Sequence, residues 1–361
     1  MVCSDNFVLL WTLSNTSVCI GDTDQEVDEM DSEDELISDF ARLVIIFVNH
    51  VILDMCVCVF GIVGNCLNIT VFLKQGLRTS VNLSLCAMSL SDLIGLIFQV
   101  WHNFCLNPYL EQLDLPVDFL EVQVLTGGCP NVVMTRITGW VTMFITAERC
   151  LSVLTPLNVR RIVTFERSVV ILLLCYGINL AFFLPRYAYD YLSFIVYPAL
   201  NKTKLAIGVR DGEETIVFFL NLSHFYLSII AFVVVVMNTA ILVVSLRRKS
   251  KWRKNVVSNK SQQDVLSSRE NKTMALVIMV ATVLIICYTP GVVCAFLEIF
   301  DPDFSFYAKQ ENVYHVTWSF CFLFNSINAS INVLVYYRMS SKYRSTLLET
   351  FPMLKGKKAK I

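Results

Sequence analysis

"FITAERCLSV" (Phe144–Val153) closes a long apolar run, and two charges, Glu148 and Arg149, sit side by side within it. A charge at the centre of a bilayer-spanning helix costs roughly 2.5–3.5 kcal/mol by insertion scales. A charged pair at the end of such a run is either a membrane boundary or a working part. The flanking sequence extends the argument in both directions. Of the 361 residues, 55% are apolar and 16% charged, against about 25% charged in a soluble chain. A helix needs about 20 apolar residues to span a bilayer. Seven runs approach or exceed that length, near Leu43–Leu73, Ser80–Val100, Asn131–Leu154, Ser168–Pro185, Thr215–Leu246, Thr273–Phe300 and Val313–Tyr337. The expected fold is an all-α membrane protein, a seven-transmembrane helix bundle.

Charge sets the expected orientation. Residues 1–42 carry 11 acids and one base, Arg42. With seven spans, the loops after spans one, three and five and the C-terminal tail share one side. With Arg149 at the end of span three, those regions hold 22 of the 29 Lys and Arg residues, including "RRKSKWRK" and the tail "KGKKAK". Short basic loops stay in the cytoplasm. The chain is therefore read as an acidic extracellular segment (1–42), a seven-span domain (43–338) and a cytoplasmic amphipathic helix with a basic tail (339–361). It is expected in the plasma membrane, multi-pass, with its N-terminus outside and C-terminus inside. No cleavable signal peptide is evident, since "FVLLW" is short and lacks preceding bases. Asn15 and Asn201 lie in sequons on the outer side and are candidate glycosylation sites. Most of the 13 cysteines lie within spans, where a thiol packs as a small hydrophobe. Cys3, Cys19, Cys105 and Cys129 are the ones placed to meet oxidising solvent.

Polar residues inside spans should face the bundle interior. Asn325, Asn328, Asn332 and Tyr336 share one face of span seven. Span two carries Asp92, span one Asn65 and span three Thr138. Amides in such places often only join helices, but a carboxylate at mid-span needs a cation, a proton or several donors. A hydrated network able to bind a small cation is expected around Asp92. Pro290, inside span six, removes a backbone hydrogen bond and kinks the helix. After span seven, Tyr343, Leu347, Leu348 and Phe351 form an apolar stripe too short to span, which fits a helix lying at the lipid interface. In span three, Arg136 lies about 20 Å from Arg149 along the helix. Its guanidinium needs a partner, either a bundle acid or carbonyl or an anionic ligand group. Trp101, Asn131, Thr135, Tyr288 and Trp318 are candidate walls of a ligand pocket around it.

"GIVGN" in span one, "SLSD" in span two, "ERC" closing span three, "CYTP" in span six and "NVLVY" ending span seven occur in that order. Together they make the chain resemble the rhodopsin-like (class A) G-protein-coupled receptors over nearly all of its length after residue 43. Loop and tail wording looks most like invertebrate peptide-receptor-like and molluscan chemosensory-receptor-like members. The resemblance implies that Glu148 holds Arg149 at rest and that Glu270 ties span six to it. Activation would then swing span six about Pro290, with Tyr288, Asn332 and Tyr336 as further switch positions. It also implies a sodium ion, the one cofactor-like candidate, at Asp92, Thr138, Asn328 and Asn332. Implied partners are an extracellular peptide or small-molecule ligand, a heterotrimeric G protein and membrane lipids.

Departures from the family pattern are plain. The third residue of the Glu-Arg-Cys triplet is usually Tyr. Val333 replaces the proline of the last motif, and Tyr176 stands near the usual Trp of span four. Span five lacks its proline and inner Tyr. The 186–215 segment contains no Cys, so the usual disulfide to span three cannot form. Cys105 with Cys129, or either with Cys3 or Cys19, are the alternatives. Ser326 stands where a retinal-binding Lys would, and Asn131 where an amine-binding Asp would, so neither retinal nor a monoamine is expected. No enzyme motif, metal spacing or internal repeat of a transporter is present, and "RRKSKWRK" reads as an inner loop, not a nucleic-acid site. A neuropeptide receptor is the favoured reading, with a small-molecule chemosensory receptor next and a transporter last.

Overall fold

Four helix starts in this chain are set by hydroxyl side chains. Ser38, Thr79, Thr164 and Ser340 stand in extended backbone, and each accepts a hydrogen bond from the N–H three residues on. Each cap satisfies one donor that the first turn leaves open. The computed structural model describes residues 36–113, 115–155, 159–197, 202–209, 214–255, 262–301, 303–304 and 308–354. The acidic N-terminal segment up to residue 35, the candidate glycosylation sites Asn15 and Asn201, Cys3, Cys19 and the last basic residues lie outside them.

The helices are α1 (Asp39–Gln75), α2 (Ser80–Cys105), α3 (Phe119–Leu154), α4 (Phe165–Ala181, carried on after a tight turn by Arg186–Tyr189), α5 (Glu214–Asn255), α6 (Gln262–Phe300) and α7 (Glu311–Met339). A short α8 (Ser341–Thr350) follows. Seven of these helices are long and apolar enough to cross a membrane. α1 passes through a wide-turn π segment at Phe47–Asp54, and α3 through another at Val124–Gly128. Gly76, with φ of 83°, closes α1 in a conformation that costs a side chain dearly.

Burial identifies the centre of the bundle. The most apolar stretch of α3 is 56% buried, whereas those of α1, α4 and α5 are each only 22% buried. α3 packs on α2, α4, α5 and α6, and α1 packs on α2 and α7. One core runs through Phe72, Met88, Ile137, Val141, Ile145, Val277, Tyr336 and Tyr343. Large apolar side chains such as Val63, Leu173 and Ile286 face outward. A surface apolar outside as well as inside is what a lipid solvent selects.

The "GIVGN" stretch has a packing cause. A Cβ on Gly61 would collide with Ser330 Oγ and lie 2.6 Å from Leu96 Cδ1, and one on Gly64 would lie 2.9 Å from Val333 Cγ1. Small residues let α1 and α7 approach closely, and Asn65 then donates to Gly61 O (3.0 Å) and Ala329 O (2.9 Å). α7 is one α-helix through Val333. α8 buries Tyr343 and Leu347 and sends the Tyr343 hydroxyl to Asn68 Oδ1 at 2.6 Å. Burial holds that phenol above its ordinary pKa.

One feature departs from the all-α expectation. β1 (Asp190–Tyr197) and β2 (Lys202–Val209) form an antiparallel hairpin in the segment that lacks Cys. Its aromatic and β-branched residues suit strands. Main-chain and carboxylate bonds hold it to the start of α3: Leu205 N donates to Pro116 O (2.9 Å), Asp118 N to Leu205 O (2.9 Å) and Ile207 N to Glu121 Oε2 (2.9 Å). Burial, with the Glu121 and Asp118 carboxylates beside it, holds the Tyr197 phenol well above its ordinary range.

Candidate functional site

At one end of the bundle, α3 delivers Glu148 and Arg149 beside the starts of α2 and α4. The Arg149 guanidinium pairs with Glu148 Oε1, and Glu148 Oε2 accepts from Ser80 Oγ at 2.7 Å. Ser80 in turn meets Ser168 of α4 at 2.8 Å. Glu148 is 4% exposed, so its charge is compensated by a cation and a hydroxyl and not by solvent. The Glu270 side chain lies outside the described residues. Cys150, in the third place of the triplet, is buried and donates its thiol to Asn238 O of α5 at 3.3 Å, while Asn238 Nδ2 reaches Thr146 Oγ1 at 3.3 Å. A small residue here lets α5 lie directly on α3. Tyr176 of α4 donates its hydroxyl to Ala87 O of α2 at 2.7 Å.

The centre is organised by Asp92. Thr138 Oγ1 donates to Asp92 Oδ1 at 2.6 Å and Asn332 Nδ2 to Asp92 Oδ2 at 2.9 Å, while Ser91 and Thr138 hydroxyls lie 2.8 Å apart. Asn328 lines the same small cavity, together with Asn131, Thr135 and Tyr288. About 10 Å³ there is open to the centre of a water molecule, room for roughly one water or small ion. Its walls carry a carboxylate, hydroxyls and amides, an oxygen-rich donor set of the kind hard cations take. Tyr336, nearer the Arg149 end, is buried with its ring edge-on to Phe72 (centroids 5.3 Å).

The six candidate ligand residues do not converge on one space. Asn131, Thr135 and Tyr288 line the Asp92 cavity, with Asn131 Nδ2 on Gly95 O (2.9 Å) and Tyr288 Oη on Thr135 O (2.8 Å). Arg136 is buried against α4 and donates from Nη2 to Asn179 O at 3.1 Å. Trp101 points to the π segment of α3, its Nε1 on Thr126 Oγ1 at 2.7 Å. Trp318 packs at the α6–α7 contact. Pro290 lies within α6, two residues beyond Tyr288.

The chain matches the serpentine type 7TM GPCR chemoreceptor family, Srw, over residues 52–353. It belongs to that receptor family. It is 24% identical over 301 residues to the FMRFamide receptor of Drosophila melanogaster, covering 81% of this chain and 52% of the relative. It is 25% identical over 305 residues to the growth hormone secretagogue receptor type 1 of Oryctolagus cuniculus, covering 80% of this chain and 77% of the relative. The chain thus spans about half the length of the FMRFamide receptor it matches. Receptor membership places the protein among signalling proteins and not enzymes.

This receptor also carries a polar cluster that the sequence reading passed over. Asp54, in the π segment of α1, is fully buried. Its Oδ2 accepts from Gln99 Nε2 (2.8 Å) and Asn103 Nδ2 (2.9 Å) of α2, and Cys58 Sγ lies 3.6 Å from Oδ1. Asn103 Oδ1 meets His50 Nδ1 at 2.9 Å, and the His50 ring stands edge-on to His102 at 5.4 Å. His102 Nδ1 continues to Gln123 Oε1 of α3 at 2.6 Å. The signal was present: His50, Asp54 and Cys58 recur every four residues, as do Gln99 and Asn103, one face of each helix. Within apolar runs, hydropathy alone hides them. Among the described residues Cys105 and Cys129 are both free thiols, so the structure does not join them.

Proposed function

We propose that this receptor binds a peptide ligand at the end of the bundle opposite Arg149 and passes the event to a heterotrimeric G protein at the Arg149 end. The observation that carries the reading is a polar column on α2, α3, α6 and α7. It runs from Asn131, Thr135 and Tyr288 through the Asp92–Thr138–Asn332 bonds towards the Glu148–Arg149 pair. A ligand that favours one arrangement of these helices shifts the balance between two states of the pair. Release of Arg149 from Glu148 would present a cation to the G protein. The charge asymmetry of the sequence supports a plasma-membrane receptor with its N-terminus outside and its C-terminus, with α8 lying on the lipid, inside. Asn15 and Asn201 are then on the glycosylated side.

The peptide reading is supported by the name of the FMRFamide receptor relative. The 11 acids of the first 42 residues would also attract a basic peptide. Sodium at Asp92, Thr138, Asn328 and Asn332 would hold the resting arrangement. A second reading, a receptor for a small chemosensory molecule, is favoured by the family's description as chemoreceptors. One experiment separates them. Cells expressing the receptor are screened for second-messenger responses against amidated peptides and small polar odorants in parallel. Responses to peptides alone support the proposal, and responses to odorants alone replace it with the second reading.

A further inference from the structure

Cys294 of α6 and Cys321 of α7 are free thiols in this structure, and they face each other with their sulfur atoms 3.6 Å apart, within hydrogen-bonding reach. Each is 2% exposed. They sit in a cluster of their own with Phe304 and Tyr314, walled by Val313 and Trp318, separate from the main core. A disulfide has its sulfurs about 2.0 Å apart, so closure asks for a shift of roughly 1.5 Å. The flanking contacts already hold the two helices in register: Tyr314 stacks edge-on to Phe304 at 5.4 Å and hydrogen-bonds Glu298. Cysteines that serve only as small hydrophobes have no reason to be matched sulfur to sulfur on two helices. Between Cys105 and Cys129, the other thiols offered by the sequence among the described residues, no sulfur–sulfur contact is formed like the one that joins Cys294 to Cys321.

We propose that Cys294 and Cys321 form a disulfide that staples α6 to α7 in the half of the bundle opposite Arg149. This rests on the proposed orientation. It puts the pair on the luminal side during synthesis, six residues, about 9 Å, below the outer end of α6 at Phe300. There the chain passes through an oxidising compartment. The step is thiol–disulfide exchange with a disulfide oxidant of that compartment. One cysteine thiolate attacks the oxidant's disulfide, forming a mixed disulfide and expelling the first oxidant thiolate. The second cysteine thiolate then attacks its partner's sulfur, closing the Cys294–Cys321 bond and expelling the second. Two thiols lose two protons and two electrons, and one oxidant disulfide becomes two thiols. The bond would lie one helical turn beyond Pro290, so it fixes the outer part of α6 and leaves the part before the proline free. It would take the place of the familiar loop disulfide, whose loop cysteine this chain lacks.

The test uses surface receptor isolated from cells in N-ethylmaleimide, digested without reduction and read by mass spectrometry. The expected result is one linked peptide pair containing Cys294 and Cys321, separated by dithiothreitol. Both cysteines found alkylated, or either linked to a different cysteine, overturns the proposal. As a second measurement, dithiothreitol should lower the melting temperature of the purified receptor, but not that of Cys294→Ala or Cys321→Ala. An equal drop in both variants counts against the bond. Antibody access to an N-terminal tag on intact cells tests the orientation separately, so a wrong orientation and a missing bond give different outcomes.

Discussion

Replacing Asp54 with Leu should destabilise the receptor through the donors it leaves behind and not through lost volume. Asp54 Oδ2 satisfies Gln99 Nε2 at 2.8 Å and Asn103 Nδ2 at 2.9 Å, and all three residues are fully buried. In a soluble core each orphaned donor costs about 1–3 kcal/mol. Within membranes, side-chain bonds between helices average about 0.6 kcal/mol and reach about 1.7. Two bonds then give an expected loss of roughly 1–3 kcal/mol. The membrane figure governs because the unfolded helices find other partners. Heating of detergent-purified protein, followed by the monodisperse fraction on size exclusion, measures the loss. Gln99→Leu and Asn103→Leu added to Asp54→Leu should restore part of it, because the orphaned groups are then removed. Neighbours in one network should show a coupling of at least about 0.5 kcal/mol. Strict additivity of Asp54→Leu and Gln99→Leu would refute the claim that these residues act as a unit.

Three further outcomes are expected. Glu148→Gln weakens the hold on Arg149; the Arg149 side chain keeps 18% of its surface exposed, and a pair hydrated on one side is worth on the order of 1 kcal/mol, so ligand-free second-messenger output should rise about five-fold at equal surface expression. Sodium bound at Asp92 in the resting state should weaken agonist binding by linkage, so Asp92→Asn should abolish the salt dependence of agonist affinity measured with potassium as the control. Gly61→Leu should lower surface expression and thermal stability by more than about 2 kcal/mol, through a side chain forced into Ser330 and Leu96, whereas the same change at Gly177, which has nothing within 4 Å, should be silent.

The seven spans were legible because each spanning helix must be long and apolar, a demand repeated at nearly every position. The start of α3 was not. Hydropathy puts its beginning at Asn131, but the helix starts at Phe119, because Glu121, Gln123 and Thr126 dilute the hydropathy while being paired to the hairpin, α2 and their own helix. The hairpin itself stayed hidden, since hydropathy says nothing about a short extra-membrane strand pair. At the site, Asp92, Thr138 and Asn332 could be read from sequence as an isolated mid-span carboxylate and its possible partners. Arg136 could be read as needing a partner, but the choice of Asn179 O depends on how α4 rotates against α3. The Cys294–Cys321 contact is likewise invisible, because it needs the register of α6 against α7.

The placement of hydrogen bonds also says which helix is free to move. α1, α2, α3 and α7 are joined by directional side-chain bonds: Asp54 with Gln99 and Asn103, Asn65 with Ala329, Asp92 with Thr138 and Asn332. Sliding any of these helices breaks bonds that lipid cannot replace. α6 is different. From Met274 to Cys287 its described side chains meet the bundle through Met274, Leu276, Val277, Val280, Ala281 and Leu284, all apolar. Over that stretch its one side-chain hydroxyl, on Thr282, bonds back to Ile278 O of its own helix at 2.7 Å. Apolar contacts are non-directional and re-form after a shift. Polar attachment begins at Tyr288, on Thr135 O, and continues to Cys294, on Cys321. These two anchors bracket Pro290, where the helix has lost a backbone bond. The segment before Tyr288 is therefore the part that can swing while the segment from Tyr288 onward stays pinned. That is the motion needed to open the Arg149 end without disturbing the Asp54 network.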